Sequence, residues 1–199
     1  MGYKEDVEDK WNFFVISDDY RWTLLVTLLM VVHYYTLVGM AGGSRKGFTE
    51  EFMKENFGEE HKQALNGEEI KKGGYPDSGS GRYTMALGYK GWMEFNKLQR
   101  SHYNYLESIS QILCMMLTCG LEFPITTAII GGVYLLGRII FQVGYKISPK
   151  ARMIGVPFVM LTQFFLPIFT IYSLSQMYSN RCADAECLSK RMMDLVSTE

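Results

Sequence analysis

Apolar residues in this chain are gathered into four long blocks, and the charged residues fall between them. Trp22 to Met40 contains no Asp, Glu, Lys or Arg. At about 1.5 Å of rise per residue such a helix spans roughly 30 Å, the thickness of a bilayer's hydrocarbon core. Ser17, Asp18 and Asp19 precede it as helix-start residues, and Trp11, Trp22, Tyr34 and Tyr35 suit interfacial anchoring. A second block opens near Trp92, where Arg100, His102, Asn104, Glu107 and Gln111 interrupt Phe95, Leu98, Tyr105, Leu106 and Ile109. Its second half, Ile112 to Leu121, is apolar apart from Thr118. Pro124 starts a third block, running to Tyr145 with the single charge Arg138, and Ile154 to Tyr178 forms a fourth with none. The pattern predicts four membrane-spanning helices, over about 20–41, 92–121, 124–146 and 152–178. Pro157 and Pro167 should bend the last of them, which a membrane helix tolerates.

Between the first two blocks lies a long polar loop, 43–90, in which Glu50 to Leu65 suits a surface helix. The run from Gly73 to Gly79 reads as turns, and a polar tail follows from 180 to 199. Basic residues flank the blocks unequally. Arg45, Lys46, Lys90, Lys97 and Arg100 border the first loop, and Lys146, Lys150 and Arg152 the third, while the second has Glu122 and no base. The positive-inside rule puts the first and third loops on the cytosolic side, or the matrix side of a mitochondrial inner membrane.

Composition narrows the function by exclusion. Lys and Arg number 20 against 21 acidic residues, a formal charge of -1, which gives no footprint for a nucleic-acid partner. Cys114 and Cys119 lie in an apolar block as small hydrophobes. Cys182 and Cys187, spaced C-x4-C, are too few for a zinc site, and both a local disulfide and two free thiols suit them. No metal site is expected. The acidic start, Glu5 to Asp9, is unlike a cleaved signal peptide or an Arg-rich transit peptide.

The candidate chemistry lies on the second and third blocks. At about 100° per residue, Arg100, Asn104, Glu107 and Gln111 fall within about 60° of one stripe. Intramembrane charges are costly and must face protein or trapped water. A guanidinium, an amide and a carboxylate in a row suit a small zwitterionic ligand; equally, Arg100 and Glu107 would neutralise each other. The third block repeats the arrangement with Tyr134, Arg138, Phe141 and Tyr145.

These residues carry a resemblance. Phe95-Asn96, followed by Arg100, His102, Asn104 and Glu107, resembles the R-x-x-x-N-x-x-E signature of the membrane-associated eicosanoid and glutathione metabolism (MAPEG) family. The segment is most similar to that of the type-3 microsomal glutathione transferases. Gly137-Arg138-Ile139-Ile140-Phe141 with Gly144-Tyr145 is similar to the family's third-helix pattern, and Val32-His33 also resembles the type-3 branch.

The resemblance implies one all-α membrane domain over 1–199, an antiparallel four-helix bundle assembled as a homotrimer, with glutathione as co-substrate between subunits. Arg100, Asn104, Glu107, Arg138 and Tyr145 would bind the tripeptide, and Arg152 would stabilise its thiolate. A nearby cation lowers a thiol's pKa and so supplies the nucleophile at neutral pH. The implied activity is a glutathione transferase or peroxidase of lipophilic electrophiles or lipid hydroperoxides, in the endoplasmic reticulum or a mitochondrial membrane. Phe141 stands where catalytic members commonly have tyrosine, and Ser108 where the synthases have another. These departures, with the long first loop, frame the alternative: a non-catalytic structural or lipid-binding subunit of a larger membrane assembly, such as a respiratory one.

Overall fold

A computed structural model describes residues 16–71 and 77–197, and side chains within the last helix only in part beyond Asn180. Every regular element among the described residues is helical. In chain order they are α1 (Tyr20–Gly43), a short 3-10 turn (Ser44–Gly47), α2 (Glu50–Ala64) and α3 (Arg82–Ala86). Then come α4 (Gly88–Glu122), α5 (Pro124–Ile147), a second 3-10 turn (Ala151–Ile154) and α6 (Val156–Ser197). Trp11 and the acidic start lie outside the described residues, as do Gly73 to Pro76.

Among the described residues three stretches are long and apolar enough to cross a membrane: Tyr20–Gly47, Pro124–Ile147 and Val156–Asn180. Only 17% of the most apolar window of the first is buried within the chain, and Leu24, Leu25, Leu28 and Leu29 all stand exposed. Apolar surface on that scale is stable only against lipid or another apolar partner. The chain is an integral membrane protein. α4 does not qualify by composition, because Lys90, Glu94, Lys97, Arg100, Glu107 and Glu122 are spread along it. A fourth span therefore rests on the length of α4 and on what its polar stripe faces, not on hydropathy.

Two compact units share these helices. Among the described residues the first comprises 16–28, 111–135 and 160–197. Within it α4 ends at Glu122 and α5 begins at Pro124, the first helical position, where a missing N–H costs nothing. The Thr23 hydroxyl donates to the Pro124 carbonyl at 2.8 Å. Gly120 lies close against Thr23 and Tyr20, and Gly131 against Met116, so α1, α4 and α5 pack backbone to side chain. The Cys119 thiol meets the Thr170 hydroxyl of α6 at 3.2 Å, and Asn180 donates to Glu122 at 2.7 Å.

α6 continues well beyond its apolar part, to Ser197. The segment after Asn180 has Ala, Glu, Leu, Lys, Arg and Met and neither Gly nor Pro, so its polarity does not oppose helix. Cys182 and Cys187 fall on this continuation, and their side chains lie outside the described residues.

Among the described residues the second unit comprises 29–71, 77–110 and 136–159 and holds the polar first loop. That loop has a small core of its own. Phe48, Met53, Ile70 and Phe95 are buried together, with Phe52, Phe57, Tyr83 and Leu87 packed on them. Thr49 caps α2 by accepting from the Phe52 N–H at 3.1 Å. Arg82 pairs with Glu60 through both guanidinium nitrogens, at 2.9 and 2.7 Å.

Asp77 organises the return to α4. Only 3% exposed, its carboxylate accepts from the backbone N–H groups of Gly79, Gly81 and Thr84 at 2.9, 3.0 and 2.8 Å, and from the Thr84 hydroxyl. Burial alone would raise its pKa, but these donors favour the charged form and together hold it below the ordinary aspartate value. Trp92 and Asn96 of α4 donate to the Gly79 carbonyl at 3.2 and 2.5 Å, tying the turn to the helix.

Candidate functional site

Within the second unit, α4 presents two faces. Phe95, Gln99, Ser101, Tyr105, Ser108 and Ile109 are buried, whereas Arg100, Asn104 and Glu107 are exposed. The polar stripe thus stands on the outer side of this chain. Among the described residues Arg100 and Glu107 form no hydrogen bond or ion pair, with each other or with any other group. Mutual neutralisation of the two is not what the structure shows. Both charges remain available to a ligand or a neighbouring subunit.

Arg138 of α5 connects the two helices. It is only 3% exposed, and its Nη1 donates to Asn104 Oδ1 at 2.7 Å while Nη2 donates to the Ser108 hydroxyl. The guanidinium carbon lies 4.8 Å from the Tyr105 ring centroid, a cation–π contact strengthened by burial. Tyr105 is itself fixed, its hydroxyl donating to the Met30 carbonyl of α1 at 3.3 Å. Arg138 is therefore held by three side chains of α4, and Asn104 is the one of them that also reaches the exposed stripe.

A second grouping forms where the chain leaves α5. The Arg152 guanidinium lies over the Tyr145 ring, 4.7 Å from its centroid, and Tyr145 packs on Phe141 at 5.7 Å between ring centroids. Two glycines permit it. A Cβ on Gly144 would come within 2.6 Å of the Ala151 carbonyl oxygen, and one on Gly155 within 2.5 Å of the Gly137 carbonyl oxygen. The turn after α5 can fold back against its parent helix only because both positions lack a side chain. That return carries Arg152 onto Tyr145.

The structure thus brings together Arg138 with Asn104, and Arg152 with Tyr145, and leaves Arg100 and Glu107 on the open side of α4. Sequence reasoning missed several participants. Ser108, noted only as a departure from tyrosine, accepts from Arg138. Tyr105 looked like a core residue and is one, but it also carries the guanidinium on its face.

From α1, His33 Nε2 meets Gln142 Oε1 of α5 at 2.6 Å. The Tyr34 hydroxyl meets His102 Nε2 of α4 at 3.1 Å, with the two rings stacked. The sequence signal for these was a histidine in an apolar block and a tyrosine beside it, which periodicity alone cannot separate from packing.

Set against known proteins, residues 21–172 match the model of the MAPEG family. No curated protein gives a significant match.

Proposed function

The chain belongs to the MAPEG family, and from that premise we propose that it binds glutathione and transfers it to lipophilic electrophiles, or uses it to reduce lipid hydroperoxides. The observation that carries this reading is the face of α4: Arg100, Asn104 and Glu107 stand exposed in one row, and Asn104 is tied to buried Arg138. In the proposed complex Arg100 takes a carboxylate of the tripeptide and Glu107 its ammonium group. Asn104 and Tyr145 supply further hydrogen bonds, and Arg152 faces the thiol. Because the row is open on this chain, a second copy would close it. We therefore propose an antiparallel four-helix bundle, with α4 as the fourth span, assembled as a homotrimer with glutathione between subunits. The likeness to type-3 enzymes and a location in the endoplasmic reticulum or a mitochondrial membrane belong to the same proposal.

The chemistry follows from electrostatics. A thiolate stabilised by Arg152 attacks an electrophilic carbon of a molecule entering from the bilayer, forming the C–S bond as a leaving group departs or as an activated double bond takes up the electron pair and then a proton. With a lipid hydroperoxide the thiolate attacks the terminal peroxide oxygen, the O–O bond breaks, and the lipid leaves as its alcohol after protonation. The resulting glutathione sulfenic acid condenses with a second glutathione to give the disulfide and water. Calorimetric titration of the detergent-purified chain with glutathione tests binding. Arg100→Ala should weaken it by about 2–3 kcal/mol, the worth of one charge-assisted contact. Absence of binding to the unsubstituted chain would favour a second reading, a structural or lipid-binding subunit of a larger membrane assembly. Two observations support that alternative: Arg138 is already engaged by α4, and Phe141 offers no hydroxyl.

A further inference from the structure

Arg152 is fixed at its backbone and uncommitted at its tip. The turn that carries it is braced by hydrogen bonds. The Ala151 N–H donates to the Ser148 hydroxyl oxygen at 3.1 Å and to the Ser148 carbonyl at 3.2 Å, and the Gly155 N–H donates to the Arg152 carbonyl at 3.1 Å. The Arg152 guanidinium has no hydrogen bond and no ion pair among the described residues. What meets it is the face of Tyr145, whose ring centroid lies 4.7 Å from the guanidinium carbon. That ring is held in turn. Tyr145 is buried, and Phe141, one helical turn earlier and also buried, packs on it at 5.7 Å between centroids. Tyr145 lines one small hollow together with Leu98 and Ser101 of α4, so it lies beside the part of α4 that bears Arg100.

We infer that Tyr145 is a positioning residue for the thiol chemistry: the face of its ring, and not its hydroxyl alone, holds the Arg152 guanidinium ready for the thiolate. This rests on the glutathione reading and adds a part to it. An aromatic face attracts a cation through its quadrupole and takes up none of the guanidinium's N–H donors. A carboxylate in the same place would occupy those donors and cancel the charge meant for the sulfur. A ring orients the cation and leaves both its charge and its donors for a ligand. The hydroxyl remains for the hydrogen bond to the tripeptide, so one side chain has two separable roles.

Two substitutions separate those roles. Tyr145→Phe removes the hydroxyl and keeps the ring, whereas Tyr145→pentafluorophenylalanine keeps a ring of similar size and reverses the polarity of its face. Neither opens a cavity against Phe141. The full chain in neutral detergent is saturated with glutathione, and the thiolate absorbance is titrated against pH. Tyr145→Phe should keep the wild-type midpoint, while needing more glutathione to saturate. The fluorinated variant should raise the midpoint by about half a pH unit or more, about threefold in the acidity of the bound thiol, the low end for a cation–π contact. In a second arm without glutathione, phenylglyoxal modification of Arg152 is followed by peptide mass spectrometry. It should run about threefold faster in the fluorinated variant than in the wild type or Tyr145→Phe.

Equal midpoints or equal labelling rates in the wild type and the fluorinated chain overturn the inference. So does a midpoint shift as large in Tyr145→Phe, which assigns the effect to the hydroxyl. Each of these results leaves the glutathione reading standing, because the unsubstituted chain still binds the tripeptide and still shows its thiolate. If the unsubstituted chain binds no glutathione or gives no thiolate signal, that reading falls and takes the positioning role with it. The labelling rates then report on the contact between ring and guanidinium alone.

Discussion

The bond between Asn104 and Arg138 is the point at which the exposed row on α4 meets the interior, and its strength can be measured by a double-mutant cycle. The N···O distance is 2.7 Å, the donor is a guanidinium, and Arg138 is 97% shielded, by complement of its 3% exposure. A charge-assisted hydrogen bond in that setting contributes about 1.5–3 kcal/mol. Asn104→Ala and Arg138→Met should each destabilise the ligand-free chain. The double variant should be less destabilised than their sum by about that amount, because the bond can be lost only once. Met is chosen to keep the stem of Arg138 packed, so that the cycle reads the polar contact and not a cavity. Equilibrium unfolding in mixed micelles, followed by helical circular dichroism, supplies the four free energies. A coupling below about 0.5 kcal/mol would refute the reasoning, since distant, independent sites add to within that margin. Arg138 would then be held by its other contacts, Ser108 and the Tyr105 face among them, and the two helices would not communicate through Asn104.

Other perturbations test other parts of the same structure. Asp77→Ala leaves the backbone N–H groups of Gly79, Gly81 and Thr84 without their carboxylate acceptor, while the Thr84 hydroxyl keeps the Gly81 carbonyl, so amides 79–87 should exchange with solvent at least about a hundredfold faster, about 3 kcal/mol, while those of α5 stay protected. Because the folded pKa of Asp77 is depressed, its stabilisation is complete above the unfolded aspartate value of about 3.9 and is lost as pH falls through the folded value below it. The protection of the same amides, taken relative to their intrinsic exchange at each pH, should therefore fall in strong acid, and Asp77→Asn should remove that dependence. If Arg152 activates the thiol, a thiolate absorbance should appear on adding glutathione near neutral pH and fall in Arg152→Ala. Phe141→Tyr should raise turnover by about tenfold, about 1.4 kcal/mol, if the restored hydroxyl acts only in the transition state.

The positions that periodicity made legible are those where one physical demand dominates. A stretch such as Trp22 to Met40 has to avoid charge, and a single window reveals it. The R-x-x-x-N-x-x-E row was visible because helical spacing puts Arg100, Asn104 and Glu107 on one side, and the structure leaves that side exposed. Position 104 was read as a ligand contact, whereas its Oδ1 is already spent on Arg138, leaving its amide hydrogens for anything else. Nothing in the sequence ties Asp77 to Gly79, Gly81 and Thr84. The loop consequently reads as a surface helix over Glu50 to Leu65 followed by turns, and only the helix is legible; the core that Phe48, Met53, Ile70 and Phe95 give it is not. Its apolar residues are too widely spaced for any window to gather them. The helical continuation of α6 was missed for the opposite reason: exposed helix and loop have similar polarity, and only propensity separates them.

Ser108 changes what the third-helix arginine can do. A tyrosine at that position would add a bulky ring on the buried face of α4, where Ser108 now meets the Arg138 guanidinium. With serine, the guanidinium can lie against the helix, over the Tyr105 ring and within reach of Asn104. Arg138 is thereby engaged within the helix pair, and Phe141, buried on the same helix, offers no hydroxyl. If glutathione binds, the exposed Arg100 and Glu107 and the Arg152–Tyr145 pair must therefore carry more of the affinity than Arg138 does. The relative losses in Arg100→Ala and Arg138→Met, once the stability of each variant is known, measure that division directly.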